Sequence, residues 1–285
     1  YRAPSGLDKV LILLPCSARK PYRFSKSHGR FIRAINNNSC HEVMVTSPLG
    51  LVPRDLEEVW PASHYDIPVT GDWTSDELLR TQNVLSSLLS RHEYKLVINH
   101  SSMKLSTGDV ELIETRNGQT AGNFDALENL SKVVKDALVK YEVPNRRNNR
   151  ALMDTFASVS RKQMKNDNWL EGISIRGKPP FWRLELDNKQ IALWSIDRRG
   201  FSFSKAAIMI LHENKSLSKM ELKSGLKWKG DIFYSNIESF DSDIKAGNDV
   251  IVYQDGLPVG LARAVAPAWE WPITGGRLAK SHQRL

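Results

Sequence analysis

Residues 15–28 read PCSARKPYRFSKSH. Within fourteen positions stand a thiol (Cys16), three hydroxyls (Ser17, Ser25, Ser27), a phenol (Tyr22), an amine (Lys20) and an imidazole (His28). A thiolate is the nucleophilic form of cysteine, and nearby cations favour it. Arg19, Lys20 and His28 are therefore expected to lower the pKa of Cys16. The chemistry this suits is covalent attack on an electrophilic carbon, with the hydroxyls and Lys20 serving the developing negative charge. The plain structural reading is that Cys16 is a small residue closing a strand, and spacing alone does not separate the two. Cys40 has no comparable surroundings and reads as structural.

A second stretch, Thr46 to Trp73, is long, holds four prolines and lacks sustained apolar density. Loops of this length in compact domains are usually functional. Its polar set is Ser47, Arg54, His64, Tyr65, Asp66, Thr70 and Asp72. A carboxylate suits the N–H edge of a guanine-like base because it accepts two hydrogen bonds side by side. Asp66 and Asp72 are the candidates, with turn formation as their bland alternative. His64 and His100 are weaker candidates, since a lone histidine is more often a satisfied hydrogen-bonded residue.

Elements of a definite kind must hold these loops. Residues 9–14 (KVLILL) form an apolar run that suits a strand buried on both faces of a parallel sheet. Strands are expected at 42–46, 94–99 and 110–114. A basic helix is expected over 26–36, a helix capped by Thr74 and Glu77 running to about Arg91, and an amphipathic helix over 124–141. Leu78, Leu79, Val84, Leu85, Leu88 and Leu89 stand at helical spacing in the second of these. Alternating strands and helices predict a doubly wound α/β layer, in which ligands gather beyond the strands' C-terminal ends. After a linker at 143–150 the pattern changes to a helix near 150–164 and a strand meander, with a turn at Asp187-Asn188. From about Ser216 short strands return, with a hairpin signal at Asp255-Gly256, and predict a compact β-barrel. The expected division is 1–145, an α/β catalytic core; 146–213, a small α+β domain; and 214–285, the barrel.

The chain has 285 residues, 40 Lys+Arg against 32 Asp+Glu and a formal charge of +8. That balance favours an anionic partner such as nucleic acid. From Asp8 to Cys40 seven basic residues face one acid. Arg146, Arg147, Arg150, Arg161, Lys162 and Lys165 form a second basic cluster, and Arg277, Lys280 and Arg284 a basic tail. Two cysteines exclude a disulfide framework and a Cys-rich zinc site, so no metal site is expected. No apolar run of eighteen residues is present and no signal peptide opens the chain; the sparse cysteines lead to the expectation of a cytoplasmic protein in a reducing cytosol. GxxxxGK[ST], GxGxxG and HExxH are absent, so nucleotide hydrolysis and zinc proteolysis have no footing.

PCSARKPYRFSKSH is similar to the PCSxxKPYxxSxxH signature of the archaeosine synthases, tRNA-modifying relatives of archaeal tRNA-guanine transglycosylase, and matches all eight fixed positions. SPLGLVPRDLEEVWPASHYDIPVTGDW resembles the corresponding family segment. Ile244–Val265 and the closing GGRLAKSHQRL resemble a PUA domain, an RNA-binding pseudobarrel. The family's N-terminal transglycosylase-like barrel with its zinc site has no counterpart here, so the chain reads as a split form or a fragment. The resemblance implies a uracil-DNA-glycosylase-like α/β core. It implies transfer of free lysine to the nitrile of 7-cyano-7-deazaguanine at nucleotide 15, in the D-loop of archaeal tRNA. The product is an amidine-linked adduct that a radical-SAM partner protein cleaves to archaeosine. Free lysine is the co-substrate and no cofactor is implied.

On that basis the catalytic candidates are Cys16, Ser17, Lys20, His28 and Asp66. Cys16 would attack the nitrile and form a thioimide, with Lys20 or His28 protonating the nitrogen. Substrate-binding candidates are Tyr22, Ser25, Ser27, Ser47, Arg54, His64, Tyr65, Thr70 and Asp72. RNA-binding candidates are Arg19, Arg23, Lys26, Arg30, Arg33, Arg277 and Lys280. Two other readings stand beside this one: a base-exchanging or base-excising enzyme on the same fold, and a non-catalytic RNA-binding module.

Overall fold

Val10 to Leu14 are five consecutive apolar residues with no exposure to solvent. A strand can hide both its faces only if layers cover it on both sides, and the first part of the chain is built to do so. In the computed structural model, which describes residues 1–65, 73–178, 180–273 and 275–285, the chain forms two compact units, Tyr1–Ser158 and Val159–Leu285. In the first, β1 (Val10–Pro15) is the centre of a five-stranded sheet. Parallel to it run β2 (His41–Thr46) on one side and β4 (Leu96–Asn99) followed by β5 (Glu111–Glu114) on the other. β3 (Gly50–Pro53) is antiparallel to β2 and closes the edge, giving the order β3-β2-β1-β4-β5.

Alternate residues of β1 enter different layers. Val10, Ile12 and Leu14 pack with Phe31 and Ile35 of α1 (Lys26–Ile35) and with Leu130 and Val134 of α3 (Phe124–Lys140). Leu11 and Leu13 pack with Val97 and with Leu85 of α2 (Ser75–Leu89) on the other face. The chain leaves β1 toward β2 and later returns to β4 on the opposite side. The switch point therefore lies between β1 and β4, and the residues following those strands border the crevice where doubly wound sheets take ligands. Cys16 and His100 follow them.

Two features depart from the pattern read from sequence. Residues 50–53 were expected as loop and form β3, whose four residues end at a proline and are too few to show a period. The apolar stripe of α2 divides: Leu85 is fully buried, whereas Leu79 is 61% exposed. Leu79, Val84 and Leu88 instead line a groove of about 630 Å³ against Val43, Leu51 and Pro53. The expected cap is present. The Glu77 amide donates to the Thr74 hydroxyl at 3.3 Å, and the Thr74 amide donates to the Glu77 carboxylate at 2.8 Å.

α4 (Asn148–Gln163) runs across the division between the units. The second unit opens on a meander of β6 (Ser174–Lys178), β7 (Phe181–Leu186), β8 (Lys189–Ser195) and β9 (Gly200–Phe203). Asp187 and Asn188 both have positive φ, 48° and 61°, the conformation a two-residue hairpin turn needs. Trp169 packs edge-on to Phe201 and Phe203, and its indole N–H donates to Ser160 at 2.8 Å. After α5 (Ala207–Glu213) come β10 (Ser218–Leu222), β11 (Ile232–Phe233), β12 (Ile237–Phe240), β13 (Asp249–Gln254), β14 (Leu257–Ala264) and β15 (Arg277–Arg284). They form one sheet in the order β11-β15-β14-β13-β10-β12. Its two edge strands are joined by the three residues Tyr234–Asn236, so the sheet curls until its ends nearly meet, as an almost closed barrel. Met220, Ile232, Val252, Trp271 and Leu278 fill it.

Leu13→Ala removes packing from a site with no exposure, and the expected loss of stability is about 2–5 kcal/mol. Leu79→Ala, on the open groove, is expected to change stability by no more than about 0.5 kcal/mol. Urea unfolding of both variants checks the assignment of α2's buried face.

Candidate active site

β1 and β2 are in register with Pro15 opposite Val45, so Cys16 and Thr46 continue from neighbouring strand ends. From Cys16 the chain passes through a 3-10 turn, Tyr22–Phe24, into α1. Ser25 caps that helix by accepting from the His28 amide at 3.1 Å, and its hydroxyl lies 3.1 Å from that of Ser27. Tyr22 is fully buried. Its hydroxyl shares a short hydrogen bond with that of Tyr65, which lies 2.6 Å from the Thr46 hydroxyl. The Lys20 ammonium stands 3.7 Å from the centroid of the Tyr65 ring. Half-buried Cys16 packs with Tyr65 and Leu49 against Tyr22, Met44, Val52 and Ala62. The structure thus brings Cys16, Lys20, Tyr22 and Tyr65 together, and adds Thr46.

The thiol's expected acidity is reversed. Burial raises the Cys16 pKa, and the nearby Lys20 charge offsets only part of that rise. Burial likewise raises the phenols of Tyr22 and Tyr65. The cluster at neutral pH is a protonated thiol beside an ammonium and two intact phenols.

His28, expected as a proton donor, stands as a buried, neutral imidazole. It is wholly buried, its Nε2–H donates to the Pro15 carbonyl at 2.9 Å, and its Nδ1 accepts from Arg54 at 3.1 Å. Burial and the Arg54 charge bring its pKa down to about 3. Its role is to hold the backbone just before Cys16. Arg54, expected to meet substrate, is mostly buried, and Arg23, expected to meet RNA, is 35% exposed, but carboxylates hold both. Arg54 pairs with Glu42 at 2.6 Å and Glu57 at 3.2 Å. Arg23 pairs with Glu57 at 2.6 Å and Glu58 at 3.2 Å. Glu57 has no exposure, and no candidate read from sequence included it. The signal was available, since a stretch with seven cations and one acid must find acids elsewhere, and residues 54–58 read RDLEE.

The remaining candidates are dispersed. The Ser17 hydroxyl donates to the Arg19 carbonyl at 2.9 Å. That of Ser47 donates to Glu77 at the start of α2. His64 is exposed. His100 is buried, with its ring nitrogens 2.8 Å from the Thr115 hydroxyl and 2.9 Å from the Ala121 carbonyl, a structural arrangement. Asp66, Thr70 and Asp72 lie outside the described residues. Among the described residues no group of three or more His, Cys, Asp or Glu could hold a metal, and no helix is long and apolar enough to cross a membrane.

The cations also separate. Arg19, Lys26, Arg30 and Arg33 are exposed, and none has a carboxylate partner among the described residues. Lys280 is exposed, whereas Arg277 pairs with Asp231 at 2.9 Å. In the second basic cluster Arg147 and Lys162 are exposed, whereas the other four cations meet carboxylates. Arg146 and Arg150 both meet Asp154, Arg161 meets Asp167, and Lys165 meets Asp241.

A family model described as a domain of unknown function (DUF5591) matches residues 1–134. An archaeosine synthase subunit alpha of Methanosarcina acetivorans is 30% identical over 283 residues, covering 91% of this chain and 44% of its own length. The namesake of Thermoplasma acidophilum is 29% identical over 272 residues, covering 91% of this chain and 50% of its own length. The chain is related to the archaeosine synthases. It spans about half the length of these curated relatives. In fold it is similar to the crystal structure of AF0587, a protein of unknown function, with a TM-score of 0.72 and 17% identity over 97% of this chain and 94% of that one. The alignment to archaeosine synthases covers most of the chain, so the likeness extends well beyond the cysteine motif.

The depressed pKa of His28 has a consequence for stability. As pH falls below the unfolded value of 6.5, the unfolded chain takes up a proton that the folded one refuses until about pH 3. Stability contributed by neutral His28 is thus present above pH 6.5 and lost between pH 6.5 and 3. At pH 5 the loss is about 2 kcal/mol. His28→Gln is expected to show a shallower decline between pH 7 and 5 in denaturant titrations. An unchanged decline would place the depressed pKa elsewhere.

Proposed function

We propose that this chain carries out the lysine-adding step of archaeosine formation on tRNA, at the site built around Cys16. The observation that carries this reading is a protonated thiol, an ammonium and two phenols gathered beyond the C-terminal ends of adjacent parallel strands. The relatedness to archaeosine synthases supports the choice of substrate.

The chemistry balances on these groups. The Cys16 sulfur bonds to the nitrile carbon of 7-cyano-7-deazaguanine, one C–N π bond breaks, and the thiol proton ends on nitrogen. Lys20 places positive charge beside that nitrogen as electrons reach it, and the Tyr65 hydroxyl can donate to it. The side-chain amine of free lysine then bonds to the thioimide carbon. The C–S bond breaks, the sulfur regains a proton, and an amidine remains. Lysine is the co-substrate and no resident cofactor is needed for the balance. A radical-SAM partner protein would act on the product.

The base at nucleotide 15 of the D-loop must leave its stack to reach the thiol. Exposed Arg19, Lys26, Arg30 and Arg33, on the loop and helix that follow Cys16, carry uncompensated charge suited to phosphates. The core would be the uracil-DNA-glycosylase-like domain and the curled sheet of the second unit a PUA-type RNA-binding barrel, in a cytoplasmic enzyme.

Nucleosides from modified tRNA incubated with the protein and labelled lysine, read by mass spectrometry, test the reaction. Cys16→Ala and Cys16→Ser are expected to lower lysine incorporation about a thousandfold or more, as removal of a nucleophile does. Lys20→Met is expected to cost roughly a hundredfold. Near-normal incorporation in both Cys16 variants would remove the covalent route. Neutralising Arg30 and Arg33 together is expected to flatten the slope of log affinity for tRNA against log salt by about 1.5. An unchanged slope would move the RNA footprint away from α1.

A further inference from the structure

The outer face of the β6–β9 meander in the second unit has a composition that packing does not explain. Cross-strand partners share a face, so the pairings of Arg176 with Arg183 and of Lys178 with Phe181 place all four side chains on one side of the β6–β7 hairpin. Arg183 and Phe181 in turn lie opposite Leu193 and Ser195 of β8. The other side is the packed one, where Leu184, Ala192, Trp194, Phe201 and Phe203 are buried. On the outer side Phe181 is 49% exposed, and the side chains of Arg176 and Arg183 are 60% and 56% exposed. Nothing in the reaction above uses this face.

Arg176 opposite Arg183 is the informative pair. Like charges directly opposite each other destabilise a sheet, so this pair does not serve the hairpin. Glu185 meets Arg176 at 3.0 Å and Arg183 at 3.8 Å. One carboxylate thus serves two guanidiniums that remain largely in water, where such pairs contribute little. Lys178 is exposed and has no carboxylate partner among the described residues. The face carries three cations and one anion. Asp187 and Lys189, at the turn between β7 and β8, offset each other.

The kind of partner follows from the mixture. A lone exposed phenylalanine needs no explanation. Phe181, however, has Lys178 across from it and Arg183 two residues along its own strand, at spacings of about 5 and 7 Å. A ring flanked by cations at that spacing suits a ligand that alternates flat apolar groups with negative charge. A single strand of RNA is such a ligand. Its bases stack on aromatic side chains and on arginine planes, and its phosphates take the cations. In a duplex the faces of the bases are covered, which leaves Phe181 nothing to stack on. An acidic peptide would use the cations and leave the ring idle.

We propose that the outer face of the β6–β7 hairpin binds unpaired nucleotides of the RNA substrate, with a base stacked on Phe181 and phosphates on Arg176, Lys178 and Arg183. The proposal rests on the preceding reading only in taking RNA as the partner, and it needs neither the thiol nor lysine.

The test is fluorescence anisotropy of the whole chain with three labelled probes: an unmodified tRNA transcript, a single-stranded RNA of about 12 nucleotides and an RNA duplex of the same length. Phe181→Ala is expected to weaken binding of the single strand and of the transcript about tenfold, and of the duplex by less than about twofold. Phe181→Trp is expected to keep the parent's affinities. Replacing Arg176 and Arg183 together by Gln is expected to flatten the slope of log affinity for the single strand against log salt by about 1.4, with the thermal midpoint unchanged or raised. Cys16→Ala should bind all three probes as the parent does. An unchanged affinity of Phe181→Ala for the single strand would overturn the proposal. So would an equal fall on the duplex, a slope unmoved by the double substitution, or losses that come only with a lower thermal midpoint. Displacement of the single strand by poly-glutamate as effective as that by unlabelled RNA would assign the face to an acidic protein and overturn it too. Absence of lysine transfer in a chain that shows the expected changes would sink the reaction at Cys16 and leave this surface standing. Transfer by a chain whose RNA binding is indifferent to Phe181 would do the reverse.

Discussion

Glu57 is a carboxylate with no contact with water, and the loops of the site depend on it. Burial alone would push its pKa up, but Arg54 and Arg23, with the hydrogen bonds Arg23 makes to it, outweigh burial and hold it below the ordinary carboxylate range. Removing either arginine would leave a buried charge short of a partner, the expensive case for buried ion pairs. The arrangement is therefore all-or-none. Arg23 belongs to the turn leaving the Cys16 loop, and Glu57 and Arg54 to the segment after β3, so one carboxylate fastens the two loops together. Arg54 extends the link to His28, and His28 extends it to the Pro15 carbonyl. Cys16 is thus placed by a chain of ion pairs and hydrogen bonds that begins more than thirty residues away in sequence.

That chain explains what could and could not be read from the residues in order. β1 was legible because five apolar residues in a row allow few other fates. The cap at Thr74 and the turn at Asp187-Asn188 were legible because each rests on local chemistry within four residues. β3 was not, since four residues ending in a proline carry no period. The ion pairs were not, because Arg23 and Glu57 are brought together by the return of β3 alongside β2. Counting charges near Cys16 gave the wrong sign for its pKa for the same reason. Lys20 and Arg19 are visible in sequence, whereas the packing of Cys16 against Tyr22, Met44 and Val52 is not, and burial exceeds the benefit of one lysine. The motif located the site, and the fold set its electrostatics.

A protonated thiol need not count against the proposed reaction. A thiolate adding to a nitrile would require a separate proton for nitrogen, and the group expected to supply it, His28, is buried, neutral and doubly hydrogen-bonded. A thiol brings its own proton. Joining S–H across the C≡N bond is neutral overall, and the resting cluster already holds every atom of the first step. What the cluster must then provide is passing stabilisation while the proton lags behind the electrons. An ammonium above the Tyr65 ring and a phenol shared with Tyr22 and Thr46 are fixed donors suited to that work. Tyr22 has no exposure and cannot turn toward water, so the phenol pair keeps its orientation before substrate arrives. The raised pKa also limits premature oxidation of the sulfur, since susceptibility follows thiolate character. The proposed reaction asks for such a thiol, inert at rest and reactive only toward a seated nitrile.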